Sequence, residues 1–405
     1  MPDLSLKPNT LDTSPLRNAV RQMVDEQIIP GASWALLQGR ELVDVQCVGW
    51  ADIEARTALR TDHIFRIFSN TKLVSSVCAL QLIESGKLGL DDPVARYLPQ
   101  VQNLQVLRAG ASSIEQTEAQ RNPITIRHLL THSAGFTLGL FDNGSPLYAA
   151  YTAYGVRSAE KTLEQMIDVL VKIPLMFQPG TGWEYSSVAT DMLSRVIEVI
   201  EGERIDRVMS RRVFEPLDMA DTGFVVPPGA VPRFVAFYAG ASETEPWKPG
   251  LSRIDQEPYP GAYLKPMPRV SGGGGLVSTL GDWVALVRAL IPGGPTLLRA
   301  ETLVMMMQNH LPAGQGIGFT NTGPYTGCGH GLAGAIAIGD VPGDAAYRAG
   351  EFWWGGAAGS KWWINPSRNE AGVFMTQRRL GFWHPLSRRV RTALDAINVA
   401  GAAAR

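Results

Sequence analysis

Ser69-Asn70-Thr71-Lys72 sets a hydroxyl and an amine three residues apart, where a strand-like run (Ile64 to Phe68) gives way to an apolar helix. A serine hydroxyl is a poor nucleophile near neutral pH and needs a base to take its proton. A lysine at i+3 lies on the same helical face, one turn away, with its amine within reach of that hydroxyl. Burial and neighbouring positive charge are what turn such an amine into a base. The chemistry open to the pair is attack on an acyl carbon to give an acyl-enzyme.

The spacing alone says little, because average serine and lysine usage yields about one S-x-x-K by chance in a chain of this length. A second copy exists, Ser158-Ala159-Glu160-Lys161. Ser158 precedes a charged turn and an amphipathic run, which predicts a helix N-cap there and Lys161 in solvent. Ser69 is followed instead by Leu73-Val74-Ser75-Ser76-Val77-Cys78-Ala79-Leu80-Gln81-Leu82-Ile83, closed by Gly86. That helix is apolar almost all round, which predicts a central, buried position. A buried lysine at its start needs a reason to exist.

Serine chemistry also needs a proton shuttle and an oxyanion hole. In Phe177 to Ser187 a Pro/Gly-rich turn delivers Tyr185 just before another apolar helix. A phenol near an ammonium loses its proton more readily, so Tyr185 is a candidate to take the proton from Ser69 and pass it on. The bland alternative is a half-buried packing tyrosine. In Trp353-Trp354-Gly355-Gly356-Ala357-Ala358-Gly359, small residues let a substrate lie against a strand edge, and a free N–H there could face an oxyanion opposite the N–H of Ser69. The alternative is a glycine bend beside core tryptophans.

Taken in chain order, these three motifs resemble the serine β-lactamase-like family, specifically its class C β-lactamase and family VIII carboxylesterase branch. That group includes acyltransferases and amide hydrolases. The resemblance covers most of the chain and extends to Leu129–Phe136, Pro216–Met219 and Gly272–Thr279. It implies Ser69 as the acylated nucleophile, Lys72 and Tyr185 sharing the base and acid roles, and an oxyanion hole formed by the N–H groups of Ser69 and Ala357. It implies an α+β, β-lactamase/transpeptidase-like fold, with an antiparallel sheet flanked by helices and an inserted, mainly helical domain. Two departures stand out. The family's Y-x-N ends here in Ser187, and Trp354-Gly355-Gly356 replaces K-T-G. An indole in place of that lysine removes charge recognition of a carboxylate and adds apolar surface, which points to uncharged short- to medium-chain esters. Trp354, Gly355, Gly356, Phe136, Tyr151, Trp353 and the loop near Tyr259 are expected to line the substrate pocket. The alternatives are an amide-directed hydrolase (β-lactamase, D-aminopeptidase or linear-amide hydrolase), an acyltransferase, or a silent binding protein. Retention of Ser69, Lys72 and Tyr185 together argues against the last.

The elements that must position these residues follow from periodicity. Residues 14–28 read as a helix, and 34–37 with 42–48 as a hairpin through Gly39-Arg40. Helices are expected at 125–131, 160–172, 187–201, 204–214 and 279–290, with a last one at 385–399. Pro227 to Pro268 has little periodicity and is expected to be a surface excursion near a site. Strands are expected within 315–340 and at 351–357, 361–364 and 372–377. Strands from both chain ends then meet in one antiparallel sheet carrying the first and last helices. The expected division is a sheet domain, 1–115 with 266–405, and a helical domain, 116–265, with the site between them.

Composition narrows the field further. Apolar residues make up 45%, charged residues 19%, and the formal net charge is -1. No basic face is implied, which argues against nucleic acid or an anionic membrane as partner. Cys47, Cys78 and Cys328 read as small buried residues in a reducing compartment. With no apolar signal core at the start and no run of 18 apolar residues, a cytoplasmic location and no membrane span are expected. No zinc pattern, H-E-x-x-H, phosphate loop or G-x-S-x-G occurs, so neither metal nor cofactor is expected, and the one expected partner is a small-molecule ester. His132 reads as making a local structural hydrogen bond, His310 and His330 as exposed loop residues, and Gly272 to Gly275 as close backbone packing beside the site.

Overall fold

A computed structural model of the chain describes residues 4–7, 11–139, 144–319, 323–339, 348–380 and 386–403. Eight strands form one antiparallel sheet in the order Cys328–His330, Ala335–Ala337, Phe352–Gly355, Lys361–Asn365, Glu370–Thr376, Gly31–Gln38, Glu41–Asp52, Thr57–Ala58. The two chain ends meet where Gly31–Gln38 pairs with Glu370–Thr376, from Ala32 opposite Thr376 to Gln38 opposite Glu370. Gly31 through Leu37 are buried at every position. A strand that buries successive residues has both faces covered, which is why Ala-Ser-Trp-Ala-Leu-Leu lacks polar alternation. Helices Ser14–Asp25 and Leu386–Ala403 pack together, and Leu280–Arg288 lies against Glu370–Thr376. This is the expected α+β architecture.

The site hangs from a smaller unit. Ile64–Arg66 pairs with Val277–Thr279, and Ile67 N–H donates to Leu276 O at 3.1 Å. The chain then turns through Phe68–Asn70 into the helix Thr71–Glu84, buried on nearly every face. Helix Ser187–Glu201 packs beside it, and Ile126–Leu130 packs in turn on Ser187–Glu201. A continuous apolar cluster runs from Leu16 to Ile397 through both the sheet and these helices.

Some elements differ from the sequence reading. Ser158 does not cap a helix. The helix there is Leu163–Leu170, capped by Thr162, whose hydroxyl accepts from the Gln165 N–H while Gln165 returns a bond to the Thr162 N–H. That reciprocal pair satisfies two free N–H groups where a lone serine satisfies one. Helices Pro146–Ala153 and Ala300–Met306 were not legible, being short and weakly periodic. The 204–214 helix is α-helical only over Ile205–Met209 and then widens into a π-helical turn, Ser210–Phe214. Pro227 to Pro268 carries the pair Tyr238–Gly240 and Leu251–Arg253. The three cysteines form no disulfide, Cys78 and Cys328 being buried as expected and Cys47 half-buried, and among the described residues no helix is long and apolar enough to cross a membrane.

Candidate active site

Ser69 sits in a strained turn. Phe68 before it has φ +43°, a left-handed conformation that costs a residue with a side chain and persists only where surroundings enforce it. Three hydrogen bonds do so. Thr71 Oγ1 donates to Phe68 O at 2.6 Å and accepts from Leu276 N–H at 3.1 Å, and Asn70 Nδ2 donates to Ser360 Oγ at 3.0 Å. Gly356 completes the arrangement. A Cβ there would lie 2.3 Å from Ile67 O and 2.8 Å from Ser360 Oγ, so only glycine lets the strand end pass this close to the Ser69 turn. Ala357 is thereby brought to the cleft that Ser69 also lines.

Lys72 is 3% exposed. Its Nζ donates to Ser69 Oγ at 3.3 Å, Ser187 Oγ at 3.0 Å and Gly273 O at 2.6 Å. Among the described residues, no carboxylate forms a salt bridge with it. The amine also lies 4.7 Å from the centre of the Tyr185 ring. Tyr185 is buried among the rings of His132 (4.8 Å), Trp354 (5.3 Å) and Phe319 (5.4 Å). Its hydroxyl has no hydrogen-bond partner among the described residues.

The Gly273 carbonyl is held from behind. Asp191, on helix Ser187–Glu201, accepts from Gly273 N–H at 2.9 Å and Ser271 Oγ at 2.8 Å through one oxygen. Its other oxygen accepts from Arg269 at 2.6 and 3.2 Å in a pair buried on both sides. Ser75 Oγ donates to Gly272 O at 2.8 Å. Sequence reasoning found the glycines but missed Asp191 and Arg269. The available signal was an acid inside the helix after Tyr185.

The cleft encloses about 860 Å³. Ser69, Tyr185, Ser187 and Ala357 line it, with aromatic walls from Phe68, Phe224, Phe237, Tyr259 and Tyr263. Of the charged residues that line it, Arg204 pairs with Asp206, Arg379 with Glu243 and Glu257, and Arg269 with Asp191, while Arg157 and Lys265 form no salt bridge among the described residues. Of the residues expected to line the pocket, the Tyr259 loop does. Trp354, Gly355, Gly356, Phe136, Tyr151 and Trp353 are buried and are not among the residues that line it. The Trp354 ring backs Tyr185, and Trp353 lies under the Lys361 ammonium at 4.5 Å. Both indoles are 2% exposed or less, so they shape the site by packing rather than by touching a substrate. His330 is buried rather than exposed, and burial pushes it down to about 4. His310 is half-buried between Arg127 and Met305 O. Among the described residues, no three His, Cys, Asp or Glu side chains are grouped to hold a metal ion.

Residues 16–396 match the family model described as Beta-lactamase. Esterase EstB of Burkholderia gladioli is 29% identical over 386 residues, covering 93% of this chain and 93% of that protein. Acyltransferase calJ of Penicillium decumbens is 29% identical over 334 residues, covering 79% and 77%. Among solved structures, EstCE1, a hydrolase with promiscuous acyltransferase activity, is similar with a TM-score of 0.79 at 28% identity, covering 94% of this chain and 97% of that one.

Proposed function

The chain belongs to the β-lactamase family, and from that premise we propose that it is a serine carboxylesterase whose acyl-enzyme forms on Ser69, acting on uncharged short- to medium-chain esters. The observation that carries this reading is the contact between Ser69 Oγ and a buried lysine amine whose other partners are a hydroxyl and a carbonyl. A neutral amine has two N–H groups and one lone pair. The Gly273 carbonyl can only accept, so it takes one N–H. With Ser187 Oγ accepting the second, the lone pair faces the Ser69 hydroxyl. Lys72 then removes that proton as Ser69 Oγ bonds to the ester carbon. The oxyanion forms between the N–H groups of Ser69 and Ala357. Tyr185 Oη, which has no hydrogen-bond partner among the described residues, delivers a proton to the departing alkoxide as the C–O bond breaks. The Lys72 ammonium returns its proton to the Tyr185 phenolate, and water then repeats the sequence on the acyl-enzyme, giving its proton to Lys72 while Tyr185 protonates the departing Ser69 Oγ, which frees the acid.

Acyl transfer is the second reading, and cleft size favours it. A cavity of about 860 Å³ is far larger than a short acyl group and leaves room for an acceptor alcohol beside it. The β-lactamase alternative is disfavoured by Trp354, which stands where a carboxylate-holding lysine would be.

The test is p-nitrophenyl butyrate turnover with and without acceptor alcohols, beside nitrocefin, together with fluorophosphonate labelling read by intact mass. We expect ester turnover well above nitrocefin turnover, and a single adduct that Ser69→Ala abolishes. Undiminished turnover in Ser69→Ala would overturn the assignment. Faster nitrocefin than ester turnover would move it to amides.

A further inference from the structure

We infer that His132 is a positioning residue for Tyr185, its backbone carbonyl and its Nδ1 holding the two peptide N–H groups on either side of that tyrosine. This rests on the acid role given to Tyr185 above. The His132 carbonyl accepts from the Glu184 N–H at 3.0 Å, and its Nδ1 accepts from the Ser186 N–H at 3.4 Å. The imidazole also meets the Tyr185 ring edge-on at 4.8 Å and 70°. One residue thus grips the backbone before and after the tyrosine and braces its ring.

The grip matters because Tyr185 Oη has no partner among the described residues. A phenol held by its own hydroxyl could tolerate loose backbone. This one takes its direction from the chain on either side and from ring packing. Ser186 has little else to hold it at that N–H. Its hydroxyl is already used, donating to Thr137 O at 3.0 Å and accepting from Ala189 N–H at 3.2 Å as the cap of the following helix.

His132 is also bent to the task. It follows helix Ile126–Leu130 with φ +58°, a left-handed backbone uncommon for histidine. Such conformations persist where the surroundings over-determine them and cluster at functional sites. An accepting Nδ1 requires the neutral tautomer with its hydrogen on Nε2. Burial, then His330 and Lys72 nearby, hold the imidazole well below its ordinary range and favour that form. The bond is therefore not local: it ties His132 to a segment 54 residues away.

Two substitutions separate the grip from the packing. His132→Phe keeps a ring but leaves the buried Ser186 N–H without an acceptor. His132→Asn discards the ring but keeps an acceptor near the place of Nδ1, and asparagine tolerates left-handed backbone. We expect His132→Phe to lower kcat for p-nitrophenyl butyrate by about 10- to 100-fold with KM within about twofold, and His132→Asn to stay within about threefold of wild type. In a Tyr185→Phe background the His132→Phe effect on kcat should vanish, because no phenol hydroxyl remains to aim. Melting temperatures identify an unfolded variant. If His132→Phe does not fold, His132→Ala, which also lacks the acceptor, takes its place. His132→Asn as slow as His132→Phe, or a His132→Phe loss that persists without the Tyr185 hydroxyl, would overturn the inference. Intact Ser69 labelling in the same samples confines that failure to His132 and leaves the assignment of the nucleophile untouched.

Discussion

The chain carries the same four-residue pattern twice, and the two copies differ in everything except spacing. At Ser69 the lysine amine reaches the serine hydroxyl from inside a buried helix. At Ser158 the pattern falls in a turn, where the hydroxyl accepts from the Glu160 N–H at 3.3 Å and Lys161 meets Ser158 only through the backbone, N–H to carbonyl at 3.5 Å. Bringing an amine onto a serine hydroxyl therefore needs more than i,i+3. It needs a helix to aim both side chains inward, burial to strip water from the amine, and acceptors such as Ser187 and Gly273 to orient it. The second region has no helix at the pattern, leaves Lys161 half-buried, and supplies no hydrogen-bond acceptor for its amine among the described residues.

The largest expected contrast is at the serines. Ser69→Ala should cost on the order of 10⁴-fold or more in ester turnover, whereas Ser158→Ala should leave it unchanged. Equal effects would erase the distinction. Next come the lysines. Lys72→Met should slow acyl-enzyme formation by about 10²- to 10⁴-fold in single-turnover assays, and Lys161→Met should not. The supports should differ too. Asp191→Ala breaks a buried pair and frees the Gly273 loop, so urea denaturation should show a loss of about 3–5 kcal/mol. Glu160→Ala, at the surface, should change stability by less than about 0.5 kcal/mol.

The smallest effect on activity sharpens the comparison from another side. Lys361 is also buried, but away from the cleft, and burial pushes it down to about 7, partly offset by Cys328. Its proton leaves the folded chain near that pH but stays on the unfolded chain until near 10.5. Between those values the unfolded state binds more protons, so stability rises with pH. Lys361→Met should flatten that rise in denaturation midpoints between pH 7 and 10 while ester turnover holds. A large loss of turnover would mean that burial alone makes a lysine functional here.

Much of this was legible beforehand for particular reasons. Ser69, Lys72 and Tyr185 are marked by local sequence: a polar pair opening an apolar helix, and a tyrosine closing a Pro/Gly turn. The strands from both chain ends showed as apolar runs, and their pairing followed from the need to cover them. The lining of the cleft was not legible. Trp354 and Trp353 were expected at its surface, but adjacent strand residues point to opposite faces, and tertiary packing buries both indoles, Trp354 against Tyr185 and Trp353 against Lys361. Asp191 and Arg269 lie 78 residues apart, and no periodicity links them.

By itself the sequence determined which groups can react, because nucleophile, amine and phenol are properties of residue type and short spacing. Only the tertiary structure decided what orients Lys72 and what holds the backbone on either side of Tyr185. Those depend on burial and on contacts such as Gly356 with Ile67, His132 with Ser186, and Asp191 with Gly273. Each joins segments far apart in the chain, and such partners are chosen by how the whole core packs.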